Sequence, residues 1–191
     1  MNKLHRPVPF ESAPRMPILV LKTALEHASR LRDCIDVVAR DSHFLASTTA
    51  PSTQQLEQIL RSSMESASIH FVAMDDRQVV GWAQIERGNG TSVDHRGDLG
   101  MGVLPAYRGI GLGKRLLSEC VAEAYARGIN RIELEVRTDN RRALELYRAG
   151  GFCVEAIVKK AMQIDGTYHD AFRMCLITPL SPGGSPTTEC A

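Results

Sequence analysis

The chain has 191 residues, 43% hydrophobic and 24% charged, enough to bury the core of one domain or at most two at about 100 to 200 residues each, and too apolar for a disordered polyelectrolyte. Its 15 glycines and nine prolines are too few for a fibrous repeat. Twenty-three Lys and Arg against 22 Asp and Glu leave a formal net charge of +1, so no bulk attraction to nucleic acid or to an anionic membrane is expected.

Residues 1–15 are polar and broken by Pro7, Pro9 and Pro14, which reads as a loose segment and not as the apolar region of a secretory signal. The longest nearly apolar stretch, residues 17–21, falls far short of the roughly 20 residues that span a bilayer. Residues 18–21 can form a strand, and Leu31, Cys34, Ile35 and Val38 give residues 26–40 a helical period. After Ala50 and Pro51, Ser52 or Thr53 can cap a second helix carrying Leu56, Ile59, Leu60 and Met64. Residues 69–74 and 78–86 flank Asp75, Asp76 and Arg77 as a hairpin. A glycine-rich loop, residues 88–97, leads to a strand over 99–104. From 109 to 127, Leu112, Leu116, Leu117, Cys120, Val121 and Ala124 form an apolar stripe opposite Lys114, Arg115, Glu119 and Glu123, the longest helix expected. A strand over 131–137, a short helix over 140–149 and a hairpin of 152–164 with 168–177, turning at Asp165 and Gly166, complete the order β-α-α-β-β-β-α-β-α-β-β. That order specifies one α/β domain, residues 16–180, with a parallel crossover through the long helix, followed by a disordered tail, 181–191. Cys34, Cys120, Cys153, Cys175 and Cys190 are odd in number and form no C-x-x-C pair, which suits packing or surface thiols in a reducing cytoplasm.

The turn before the long helix, Arg108-Gly109-Ile110-Gly111-Leu112-Gly113, joins a strand to a helix. Glycines there let backbone approach a ligand, and the unpaired N–H groups of the first helical turn favour an anion such as phosphate. A P-loop would need a glycine at Arg108 and Ser or Thr at Arg115, and the dinucleotide fingerprint finds Lys114 or Leu116 at its third glycine, so both nucleotide signatures fail. The pattern that does match is R-x-x-G-x-G, preceded by Leu99-Gly100-Met101-Gly102-Val103-Leu104 and Pro105. It resembles the acetyl-CoA pyrophosphate loop of the GNAT N-acetyltransferase superfamily.

On the strand over 131–137, alternation puts Ile132, Leu134 and Val136 on one face and Glu133, Glu135 and Arg137 on the other. Two carboxylates on one face are either paired to arginines on a solvated strand or line a cleft, where partial desolvation would raise the pKa of a base. Asn140, Ala143, Leu144 and Tyr147 share a helical face, on which a tyrosine can simply be core. The run from Glu133 to Phe152, ELEVRTDNRRALELYRAGGF, is similar to the second GNAT motif. The resemblance spans residues 78–177 and implies a single-domain fold with a mixed, mostly antiparallel sheet of about six or seven strands and helices on both faces.

The resemblance further implies an enzyme that transfers an acetyl group from acetyl-CoA directly to a primary amine. Arg108, Gly109, Ile110, Gly111, Leu112, Gly113 and Lys114 would hold the pyrophosphate; Met101, Gly102 and Val103 the pantetheine arm and thioester carbonyl. Asn140 would contact the cofactor, and Tyr147 would protonate the leaving thiolate. Glu135 matches the base of the ribosomal-protein alanine acetyltransferase branch, with Glu86 and Asp98 as alternatives. Phe44 and Leu45 fall where the family builds its acceptor wall. Residues 26–64 resemble the lid region of small-molecule members, including phosphinothricin-type acetyltransferases, which favours a small amine over a protein N-terminus. A non-catalytic acyl-CoA-binding regulatory domain would need the loop but neither Glu135 nor Tyr147. Asp94, His95 and Asp98 lack a second histidine at ligand spacing, so no metal is expected. Trp82, alternating with Ala83 ahead of Gln84, reads as core. Monomer and homodimer both fit.

Overall fold

The computed structural model describes residues 17–177 except 43, 46 and 67. The segments read as loose, 1–15 and 181–191, lie outside the described residues. In chain order the elements are β1 (Leu19–Lys22), α1 (Ala28–Ser42), α2 (Thr53–Glu65), β2 (Ile69–Asp75), β3 (Gln78–Arg87), β4 (Arg96–Val103), α3 (Leu112–Ala126), β5 (Arg131–Arg137), α4 (Arg141–Ala149), β6 (Cys153–Ile164) and β7 (Thr167–Ile177). The strands make one seven-stranded sheet ordered β1-β2-β3-β4-β5-β7-β6. Its pairs are antiparallel except β4 with β5, which α3 connects, as the sequence order requires.

Local chemistry sets the element ends. Ser52 Oγ accepts from Gln55 N at 3.2 Å while Ser52 N donates to Gln55 Oε1 at 2.9 Å, a reciprocal cap that starts α2. The first α-helix begins at Ala28, two residues later than the periodicity suggests, because residues 25–27 form a 3₁₀ turn that His27 Nδ1 closes by accepting Ala24 N–H at 2.9 Å. Asp165 and Gly166 take φ of 48° and 78°, the left-handed pair a two-residue hairpin turn needs.

Gly81 marks the face that α3 covers: a Cβ there would lie 3.1 Å from Leu116 of that helix. Ile132 and Met174, buried without residual exposure, share this face by register. On the opposite face Val72, Val80 and Trp82 are buried beneath α1 and α2. Those two helices stop short of β5 and β7, where the same face carries Glu135 and Arg173 in contact with solvent. Cys34, Cys120 and Cys175 are free, buried thiols. At the outer edge, β6 loses register between Val154 and Ala156 and again between Val158 and Met162, with Lys160 at φ 52°. No helix among the described residues is long and apolar enough to cross a membrane.

Gly102 lies opposite Trp82, and a Cβ on it would stand 2.3 Å from the indole ring. Gly102→Ala therefore forces a buried aromatic out of place, and urea denaturation should show a loss of about 1–3 kcal/mol.

Candidate active site

The site begins where β4 and β5 part. Their ladder joins only Arg96, Gly97 and Asp98 to Arg131, Ile132 and Glu133, after which β4 stays with β3 as far as Val103 and β5 stays with β7 as far as Arg137. Leu104 N donates to Val80 O at 2.9 Å, which fixes the alternation: Leu104, Gly102 and Gly100 bond to β3, while the N–H and C=O groups of Met101 and Val103 point into the wedge. Gly100 and Gly102 add no side chain on the face shared with Gln84 and Trp82.

Beyond β4 the chain turns through Pro105–Tyr107, tied down by Tyr107 Oη donating to Asp75 at 2.7 Å. Gly109 and Gly111 have φ of +80° and +82°, and nothing lies within 4 Å of where their Cβ atoms would be. Gly111 is the N-cap of α3 and no side chain caps it. The first backbone bond back into the loop is Arg115 N to Gly111 O at 3.1 Å. The N–H groups of Leu112, Gly113 and Lys114 thus face a concave, open loop at the positive end of a helix dipole, an anion cradle. Gly113 serves packing as well, since a Cβ there would sit 3.3 Å from Leu146 and 3.7 Å from Met101. This convergence brings α3, α4 and β4 together beside the wedge. Ile110 is exposed at the loop tip, whereas the Leu112 side chain is core.

Arg108 is engaged away from the cradle: its Nε donates to Val103 O at 2.9 Å and its Nη1 to Asp41 Oδ2 at 2.8 Å. Asn140 caps α4, its Oδ1 accepting from Ala143 N at 3.2 Å, so only its amide N–H₂ remains for a ligand. Tyr147 is 8% exposed with its ring 5.8 Å from that of Phe152. Its hydroxyl has no hydrogen-bond partner among the described residues, yet it is not among the fully enclosed unpartnered atoms, so solvent reaches it. Burial pushes its pKa up to about 12, which keeps the phenol protonated.

The carboxylates divide by partner. Glu133 receives Arg96 at 2.9 Å and also Arg131; burial pushes its pKa up, but the two guanidiniums outweigh that and hold it below the usual range. Glu135 is bound by Arg173 Nη2 at 2.7 Å and Nε at 3.2 Å, and its side chain is 36% exposed. Of the two readings of this strand face, the Glu135–Arg173 pair is the arginine-paired one. Glu86 accepts from Gln84 Nε2 at 2.9 Å. Asp98 is the last β4 residue paired before the wedge; its carboxylate makes no hydrogen bond or ion pair among the described residues, and its pKa is raised, first by desolvation and then by Glu133. Sequence alone did not single out Arg173 or Asp41: neither lies in a motif, and each meets its partner only through strand register or the approach of α1. His95 is exposed. Phe44 lies over the Arg137 guanidinium, 4.9 Å from Cζ to the ring centre, and Leu45 packs against the core.

The model of the acetyltransferase (GNAT) family matches residues 23–152. The chain belongs to the GNAT family. Among proteins similar to this GNAT chain, the N-alpha-acetyltransferase RimI of Mycobacterium tuberculosis is 40% identical over 106 residues, 55% of this chain and 64% of that protein. The alignment thus spans less than two thirds of that relative. The L-amino acid N-acetyltransferase AaaT of Escherichia coli is 32% identical over 109 residues, 56% of this chain and 67% of that protein. In fold, the phosphinothricin acetyltransferase of Sinorhizobium meliloti, solved with acetyl-CoA, matches with a TM-score of 0.80 at 21% identity over 91% of this chain and 95% of its own.

The residues present fit acetyl-CoA. The glycine cradle suits a pyrophosphate, and the unpaired edge of β4 suits an extended arm carrying amide groups. Gly111→Glu puts a side chain into a left-handed position and a negative charge into the cradle. Calorimetry should find acetyl-CoA binding lost in that variant while its far-ultraviolet circular dichroism matches the parent; unchanged binding would remove the cradle from the site.

Proposed function

We propose that the chain is an acetyl-CoA-dependent N-acetyltransferase that acts by direct transfer on a primary amine of a small molecule. The observation that carries this reading is the wedge itself, with the N–H groups of Met101 and Val103 aimed into it beside the glycine cradle. When bound, acetyl-CoA supplies an acyl group activated as a thioester. Gly109 to Lys114 hold the pyrophosphate with backbone N–H groups and the Lys114 ammonium, and the Met101 and Val103 N–H groups orient and polarise the acyl carbonyl. An amine must be neutral to attack, so a carboxylate takes its proton. Asp98 suits this step, since no cation is bonded to its carboxylate and desolvation, then Glu133, raise its pKa against the weaker pull of Arg96 and Arg173. Glu135 is already engaged by two hydrogen bonds from Arg173. Tyr147 is the acid: its phenol is protonated at neutral pH and can give that proton to a departing thiolate. Burial pushes the thiols of Cys34 and Cys120 up to about 12 and that of Cys175 to about 11, so none of the three suits an acyl carrier, in keeping with direct transfer.

The small-amine reading is supported by the end of α1, where Asp41 binds Arg108, and by Phe44 just beyond it, which covers Arg137; together they narrow the approach for a folded protein. A protein N-terminus is the second reading, favoured by the relative named N-alpha-acetyltransferase. Thiol release from acetyl-CoA across amino acids, polyamines, aminoglycosides and N-terminal peptides decides between them. No release with any amine would leave the non-catalytic acyl-CoA-binding domain.

Tyr147→Phe keeps the ring and removes the acid, so turnover should fall about 100-fold or more with little change in acetyl-CoA affinity; full turnover would return Tyr147 to a packing role. For the base, kcat/KM should fall as pH drops through the raised pKa of Asp98, because the protonated carboxyl no longer accepts. Asp98→Asn should abolish that acid limb, lower the rate most near neutrality and recover in part as alkali neutralises the amine, while Glu135→Gln costs only a few fold. The opposite ranking would assign the base to Glu135.

A further inference from the structure

Asp41 at the end of α1 and Phe44 just beyond it reach the two sides of the wedge, the first through Arg108 and the second at β5. Asp41 binds Arg108 Nη1 at 2.8 Å, and the same guanidinium gives its Nε to Val103 O at 2.9 Å. Phe44, three residues on, covers Arg137 at the end of β5. The Val103–Leu104 peptide is thereby held at both ends: Leu104 N–H by Val80 O at 2.9 Å, and Val103 C=O by Arg108. The guanidinium is a planar fork, so a carboxylate on one nitrogen fixes the direction in which the others point. The Asp41 side chain is 37% exposed and that of Arg108 23%, so an isolated pair there contributes little to stability. A role in placing the end of β4 accounts for the geometry better than a role in folding.

We propose that Asp41 is a positioning residue for acetyl transfer: through Arg108 it fixes the Val103 carbonyl, and with it the peptide plane at the wedge end of β4, while Phe44 holds the same segment to β5. This rests on the acetyltransferase reading above. Asp41 touches neither the cradle nor the carboxylates around Asp98. Its loss therefore acts on the alignment of the reacting carbonyl, where small displacements lower the rate without lowering affinity.

The test compares Asp41→Asn, Asp41→Glu, Arg108→Gln and the Asp41→Asn, Arg108→Gln double variant with the parent, measuring kcat, the calorimetric Kd for acetyl-CoA and hydrogen exchange at the Leu104 amide. In Asp41→Asn, kcat should fall about tenfold with Kd within about twofold of the parent, and Leu104 should exchange faster. Asp41→Glu should restore most of the rate, and the double variant should be no worse than Arg108→Gln alone, as for groups acting in one chain. A kcat within twofold of the parent overturns the proposal, as does a drop that persists in full on the Arg108→Gln background. Should Asp41→Asn not fold, Asp41→Ser carries the same expectation, and failure of both to fold overturns the proposal by making the pair structural. If the parent itself fails to bind acetyl-CoA, it is the acetyltransferase reading that falls.

Discussion

A sheet gains stability by pairing every backbone group it can, and here two neighbouring strands stop pairing midway. Beyond Asp98 and Glu133, β4 and β5 each keep one partner and face one another across a gap. Buried backbone groups left without partners cost about 1–3 kcal/mol apiece, so such a gap persists only where solvent or a ligand can enter. The rest of the architecture maintains it. The crossover through α3 keeps β4 and β5 adjacent at their starts, β3 and β7 hold them from outside, and the junction of Gly113, Leu146 and Met101 sets α3 and α4 beside the opening. A ligand with an extended, amide-bearing arm gains the hydrogen bonds the sheet does not make. The open glycine cradle beside it suits a charged end.

The second organising fact is uneven cover. The α1 and α2 helices shield one face of the sheet over β2 to β4 and leave it open over β5 and β7, so that face carries Glu133, Glu135, Arg131 and Arg173 in place of aliphatic side chains. The Glu135–Arg173 pair is solvent-exposed and worth at most about 1 kcal/mol, while the pairs on Glu133 are part-buried. Their consequence lies in how they sort the carboxylates. Arginines hold the Glu133 carboxyl below its usual range, whereas the Asp98 carboxyl beside it, bonded to no arginine, is raised, first by desolvation.

What the sequence conveyed follows from how far each signal reaches. The order of elements, the capping Ser52, the long amphipathic α3 and the left-handed glycines before it are local, and the periodicity and the R-x-x-G-x-G run carry them intact. The two faces of β5 were legible too, since alternation needs no partner. The arginine that holds Glu135 sits 38 residues further along the chain, and only the β5–β7 register brings the two together. Likewise Arg108, read from its motif as a phosphate ligand, is turned toward Asp41 by a helix whose approach no local pattern encodes. The 3₁₀ turn ahead of α1 escaped notice because a histidine closed it, and histidine is not an expected helix-capping residue.

The two outermost strands carry a different consequence. A sheet open at both ends offers its unpaired amides to any other extended chain, and fibrils and mispaired dimers grow from such edges. One edge, β1, is four residues long, too short to template much. The other, β6, is long but twice bent out of register, and its second bend carries Lys159 and Lys160, the former tied to Asp170 at 2.8 Å. A foreign strand laid along β6 would meet a broken ladder and a positive charge at the bend, so this chain can keep a permanently open sheet without inviting aggregation.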